Sequence, residues 1–194
     1  MTEGFNKTLK AFILQAESGD LKTSTYPKTL GDFRMRVSFG MGVSAKIPWI
    51  AFITPEMKVS NGFYPVYLYY KAQQILILAY GVSEDENYGE TWPIEVQNSS
   101  TTIKGFFDTK VPKYNDSFVF KAYKLNFAKN SDTFSFENAT EGGVIDEKEL
   151  DTDLQTLLDY YSKVVSRKIK DETSTISQGL FYMEKQLEDF IIHN

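Results

Sequence analysis

The chain contains no cysteine among its 194 residues, and its single histidine, His193, stands beside the C-terminus. Disulfide staples and thiolate metal sites are therefore excluded. Imidazole acid–base chemistry and histidine metal clusters have almost nothing to draw on. The lack of cysteine fits a reducing compartment. No apolar run approaches the roughly 20 residues that span a bilayer. The start, MTEGFNKTLKAFILQAESGD, lacks the apolar core and cleavage site of a secretory signal. A cytoplasmic location without membrane contact is expected. The patterns GxxxxGK(S/T), GxSxG, HExxH and CxxC do not occur, so P-loop nucleotide binding and the common hydrolase and zinc centres are not foreseen. No cofactor is expected.

What the chain does have is apolar and aromatic mass. Hydrophobic residues make up 42% and aromatics 15%, enough for one real core with rings to spare for stacking surfaces. The length suits one domain, placed at residues 1–170, with 171–194 as a helical extension or linker. Net charge is −5, but it is unevenly spread: residues 1–50 carry seven Lys/Arg against four Asp/Glu, and residues 102–130 carry six against two. The acidity lies mainly in residues 131–194, so the global sign does not exclude a local phosphate-facing patch.

Periodicity places the elements. Phe5, Leu9, Phe12, Ile13 and Ala16 fall at helical spacing over residues 4–18, with Gly19 as C-cap. Strands are predicted at Arg34–Phe39 and Ile47–Ile53, and at Tyr64–Tyr70 and Gln74–Val82 as a hairpin around Lys71–Gln73. Ser83–Thr91 reads as an acidic loop, Thr101–Thr109 as a short helix, Val111–Asn115 as a Pro-containing loop and Ser117–Leu125 as a strand. Residues 126–143 carry no assignment. Asp146 and Glu149 open an amphipathic helix to Ile169 in a capping-box spacing, and a second helix is predicted over Thr175–Ile192. The fold class is α+β: a mixed, mostly antiparallel curved sheet with flanking helices and a C-terminal helical pair.

Two stretches invite a functional reading. In SFGMG, Gly40 and Gly42 permit positive φ or close backbone approach. This is either a tight strand connection or a reading loop presenting Met41, an apolar side chain suited to wedging between base pairs. Arg34, Arg36 and Lys46 lie nearby for phosphate contacts. In YPVYLYY, Tyr64, Val66, Leu68 and Tyr70 share one face. That strand is either a central one covered on both sides, or the wall of a slot lined by Tyr64 and Leu68 and lidded by Trp49 and Tyr114. An extruded base needs such a slot. Lys104, Lys110 and Lys113 extend the basic set. Acidic pairs on the C-terminal helices, such as Glu147 and Glu149, read as solvated charge.

At these residues the chain resembles the N-terminal DNA-binding domain of the McrB family, the specificity part of modification-dependent restriction GTPases. The resemblance rests on Tyr26-Pro27, VSFGMG (37–42), IPWIAF (47–52), SNGFYPVYLYYK (60–71), ILAYGVS (77–83), Trp92 and Pro112-Lys113-Tyr114, in order over roughly residues 5–125. It implies a reader of double-stranded DNA carrying modified cytosine, such as 5-methylcytosine, which flips the base into a protein pocket. On that pattern Trp49, Tyr64, Leu68 and Tyr114 are pocket residues, and Met41 fills the gap the base leaves. The chain departs in having Met41 where the family can carry an aromatic, and Val43-Ser44-Ala45 where Asn is often found. These departures bear on flanking-sequence preference. The resemblance also implies an AAA+ GTPase module and a McrC-type nuclease subunit as partners.

The leading expectation is thus a non-catalytic module with little or weak sequence preference that targets a restriction complex to modified DNA. An alternative is a protein-interaction or assembly module with a buried aromatic sheet and no DNA role. A third is an enzyme acting directly on a flipped base, with a glycosylase-like Asp at Asp108 or Asp116.

Overall fold

The computed structural model describes residues 4–55, 57–60, 62–84, 91–129 and 133–168. The chain divides into two compact units, Met1–Leu158 and Asp159–Asn194. In the second unit, the described residues 159–168 are helical. The expected second C-terminal helix and the boundary at 170/171 lie outside the described residues.

The first unit is one sheet in the simplest topology. Its strands are β1 (Thr29–Leu30), β2 (Phe33–Ser38), β3 (Trp49–Ile53), β4 (Phe63–Tyr70), β5 (Ile75–Val82), β6 (Phe118–Phe127), β7 (Phe134–Asn138) and β8 (Val144–Ile145). They lie side by side in chain order. Every pairing among the described residues is antiparallel, so the mixed element of the expectation drops out. The predicted hairpin forms: all eight residues of β4 pair with β5, across a 3₁₀ turn at Lys71–Gln73 closed by Gln74 at φ 54°. β7 lies within the stretch 126–143 that carried no assignment, and β8 follows directly after it.

Period-two geometry gives the sheet two faces. One carries Met35, Ile50, Phe52, Tyr67 and Leu76, and the helix α1 (Phe5–Ser18) packs on it. α1 buries Phe5, Leu9, Phe12, Ile13 and Ala16, the predicted stripe. Phe5 meets Phe52 edge-on at 5.5 Å between centroids, and Phe12 meets Phe39 at 5.2 Å. Each such fully buried side chain contributes about 1.5–3 kcal/mol relative to exposure. Residues 147–158 form helix α4, which Asp146 caps by accepting from Glu149 N–H at 2.8 Å, as the capping-box spacing foretold. α4 reaches the same face of the sheet, where Tyr123 donates its hydroxyl to Asp153 at 2.7 Å.

α4 also finishes α1. Gly4 sits at the α1 N-cap in the left-handed region and supplies no side chain. The Asp151 carboxylate takes that role across 147 residues of chain, accepting from Gly4 N–H at 2.8 Å and Asn6 N–H at 3.1 Å. At the far end, Lys71 donates to the Ala16 carbonyl and Tyr69 to Glu17, both at 2.6 Å. Two short helices lie between β5 and β6: α2 (Ile94–Ser99), which was not foreseen, and α3 (Ile103–Phe106), shorter than the predicted 101–109. Among the described residues no helix is long and apolar enough to cross a membrane.

Replacing Asp151 with Ala leaves the first amides of α1 without their acceptor. It is expected to lower unfolding free energy by about 1–2 kcal/mol, read from urea denaturation. Alkaline pH should also weaken the fold. Burial, with Asp20 adding repulsion, pushes Tyr26 up to about 12, so the folded chain holds this proton more tightly than the unfolded one. Stability is then whole below pH 10 and falls as pH climbs towards 12. Urea midpoints between pH 8 and 11.5 check this, and Tyr26→Phe should flatten the fall.

Candidate functional site

The opposite face of the sheet carries Arg36, Ser38, Trp49, Ala51, Tyr64, Val66, Leu68 and Gly81, as the registers Ser38↔Trp49↔Leu68 and Tyr64↔Gly81 require. At its edge the β2–β3 connection makes a narrow tip. Phe39 anchors the base of this loop, buried against Phe12 and Tyr26, and its carbonyl accepts from Ala45 N–H at 2.7 Å. Gly40 adopts φ 115°, and a Cβ there would lie 2.0 Å from the Val43 carbonyl oxygen. Only glycine fits. The turn leaves Met41 96% and Val43 78% exposed, two large apolar side chains held out into solvent.

Beside this tip opens a cavity of about 580 Å³. Trp49 and Tyr64 come from the sheet and Tyr114 from the loop before β6, while Met41, Lys46, Lys113 and Glu84 also line it. Tyr64 donates its hydroxyl to the Val59 carbonyl at 2.8 Å, which fixes its ring. Tyr114 holds φ 66°, a conformation a tyrosine adopts only under restraint. Asn115 supplies one restraint, accepting from Val111 N–H at 3.1 Å and donating to Val111 O at 2.9 Å. Glu84 Oε1 supplies another, accepting from the amides of Tyr114 and Asn115. Tyr70 adds a third by donating to the Lys113 carbonyl at 3.3 Å. Burial first, then nearby Tyr114 and Glu84, push the Tyr70 hydroxyl well above the ordinary phenol range, so it stays a neutral donor.

Sharing Trp49, Val59, Tyr64 and Tyr114 with this cavity is a smaller recess of about 20 Å³, completed by Val66, Gly81, Val82 and Ser117. That is room for one water-sized group. Gly81 faces Tyr64 across the ladder, and a Cβ there would sit 2.7 Å from both Tyr64 O and Val66 Cγ1. Ser117, 1% exposed, accepts from Val82 N–H at 3.0 Å.

The predicted site residues are not all gathered here. Trp49, Tyr64 and Tyr114 wall the cavity with Gly40 and Met41 at its mouth, and Gly42 (φ 73°) completes the tip. Leu68 shares the face but is fully buried and absent from the lining, because Trp49 is its partner across the ladder. Arg34 is engaged elsewhere: its guanidinium donates to the carbonyls of Thr54, Pro55 and Met57 at 3.0–3.1 Å. It clasps that turn and does not stand free for phosphate. Arg36, Lys46 and Lys113 are exposed, the latter two on the cavity rim. Lys104 and Lys110 are exposed but outside the lining. Asp108 and Asp116 do not line the cavity either. No group of three or more His, Cys, Asp or Glu suited to a metal occurs among the described residues. Sequence reasoning passed over Glu84, Ser117 and Gly81. Glu84 sat in a stretch read only as acidic loop, and nothing in the chain marks its reach to an amide 30 residues on.

This is an open antiparallel α+β meander with α1 and α4 on one face and an aromatic cavity on the other. The chain belongs to the family of MrcB-like N-terminal domains, whose model matches residues 3–166. It is similar to the EcoKMcrB subunit of a type IV methyl-directed restriction enzyme from Escherichia coli K12, at 28% identity over 193 residues. The match covers 97% of this chain and 41% of that protein, so the chain spans about two fifths of its relative's length.

Glu84→Ala should loosen the Tyr114 wall without unfolding the sheet. Amide hydrogen exchange at Tyr114 and Asn115 is expected to quicken at least tenfold while amides of β4 keep their protection.

Proposed function

We propose that the chain reads double-stranded DNA carrying a modified cytosine, by taking the flipped base into the Trp49–Tyr64–Tyr114 cavity. The observation that carries this reading is the cavity itself: about 580 Å³, open, ring-walled and bordered by Lys46 and Lys113. Its volume falls in the ordinary range of small-ligand sites. Aromatic walls suit a base removed from its stack. The recess behind them suits one methyl-sized substituent. Met41, with Val43 beside it, fills the space the base vacates, as apolar wedges do in kinked duplexes. Arg36, Lys46 and Lys113, with Lys104 and Lys110 further out, contact phosphates and carry no sequence information, so flanking preference is weak.

The relative's description as a subunit of a methyl-directed restriction enzyme supports the same reading. In it, this domain does no chemistry. The motor and cleavage steps belong to a GTPase module and a McrC-type nuclease subunit, which the bound domain brings to modified DNA. Opening the base pair costs a few kcal/mol, recovered by stacking and phosphate contacts.

Fluorescence anisotropy with duplexes that differ only at one cytosine tests this. The 5-methylcytosine duplex should bind more tightly than its unmodified twin, and Tyr64→Ala should weaken it at least tenfold with circular dichroism unchanged. The double change Lys46→Ala, Lys113→Ala should lower the slope of log K against log salt by about 2 for both duplexes alike. Coincident curves for the two duplexes defeat the proposal.

A further inference from the structure

A pocket for 5-methylated pyrimidines faces a problem of its own. Thymine also carries a methyl group at C5, so a methyl-sized recess cannot tell 5-methylcytosine from thymine, which DNA holds in great excess. The two differ at position 4: cytosine presents an amino donor there and thymine a carbonyl acceptor. Some group in the cavity must read that edge.

Resting on the base-reading proposal, we propose that Glu84 is the residue that distinguishes modified cytosine from thymine, by accepting a hydrogen bond from the exocyclic amine. Among the described residues Glu84 is the sole carboxylate lining the cavity, whose other charged lining residues are Lys46 and Lys113. An acidic side chain beside a phosphate-facing rim works against DNA affinity, so its presence calls for a compensating role. Half of that role is structural. Oε1 accepts from the amides of Tyr114 and Asn115, which ties the carboxylate to the loop. The other oxygen, Oε2, accepts no hydrogen bond from the described residues. An ionised carboxylate is acceptor-only, with four lone-pair sites on its two oxygens. It matches the amine of cytosine and opposes the carbonyl of thymine, the pairing by which Asp and Glu read cytosine in the major groove. The same residue that holds the Tyr114 wall therefore brings an acceptor to the cavity lining.

The arrangement makes one substitution unusually informative. In Glu84→Gln the amide oxygen is needed where Oε1 was, because Tyr114 and Asn115 still present N–H donors there. The amide nitrogen must then take the place of Oε2. A donor replaces the acceptor at the base edge, while the loop keeps its clasp.

The experiment measures affinity of the full chain, wild type and Glu84→Gln, for duplexes bearing 5-methylcytosine, cytosine or thymine opposite an abasic site. That design removes the pairing cost equally from all three. Wild type should prefer 5-methylcytosine to thymine by about 5- to 150-fold, the range of one well-placed base contact. Glu84→Gln should collapse or reverse this ratio while exchange of the Tyr114 amide stays at the wild-type rate. An unchanged ratio in Glu84→Gln overturns the proposal. So does equal weakening towards all three bases with accelerated Tyr114 exchange, which assigns Glu84 to the wall alone. A wild type that binds 5-methylcytosine and cytosine alike defeats instead the base-reading proposal on which this one stands.

Discussion

The full-length antiparallel pairing of β4 with β5 is the constraint that everything else obeys. Eight consecutive residue pairs lock the register, and a slip by one would exchange the two faces. With the register fixed, Tyr67 and Tyr69 go to the side that the helices cover, and Tyr64 goes to the side that opens as a cavity. Gly81 is part of the same constraint. It stands opposite Tyr64, where a Cβ would sit 2.7 Å from Tyr64 O and Val66 Cγ1, two of the residues that line the recess. One strand thus supplies both a core layer and a cavity wall. Its sequence, apolar on both faces, fits a central strand and a pocket wall at once.

That double use explains what was legible. The α1 stripe, the β4–β5 hairpin and the Asp146 cap follow from local period and spacing, and the structure keeps all three. α2 spans six residues, too few for a helical period to declare itself. β7 has a clean alternation in Phe134 and Phe136, but polar neighbours and brevity hid it. In the candidate site, residue type pointed to rings and glycines, whereas engagement could not be read from type. Arg34 looks like a free cation until the three carbonyls of the 54–57 turn are placed around it. Leu68 shares the parity of Tyr64, but parity does not say which of two same-face residues reaches the opening. Glu84 is the converse case, an unremarked acid whose importance comes only from where Tyr114 is held.

Division of labour between rigid and strained parts follows. The sheet supplies Trp49 paired on both sides, with Ser38 and Leu68, and Tyr64 paired with Gly81. Tyr114 instead sits in a left-handed conformation worth of order 1 kcal/mol or more of strain, maintained by Asn115, Glu84 and Tyr70 together. Under the proposed function, such a wall has two uses: it is fixed enough to stack, and it is secured by few enough bonds to shift when a base enters. The Met41–Val43 tip is built on the same plan, a rigid base at Phe39 and a glycine-shaped turn that no other residue can make.

The cap that Asp151 places on α1 carries a consequence for how the polypeptide matures on the ribosome. Strands that neighbour each other in space are neighbours along the chain, so the sheet can grow hairpin by hairpin during synthesis, with little loop-closure entropy at each step. α1 is made before the sheet, yet the acceptor for its leading amides emerges 147 residues later. At about 5–20 residues per second that is an interval of roughly 7 to 30 seconds. During it, α1 has its apolar side available to the growing sheet but its first turn unfinished. Completion of the domain is therefore timed by the arrival of one carboxylate near its end.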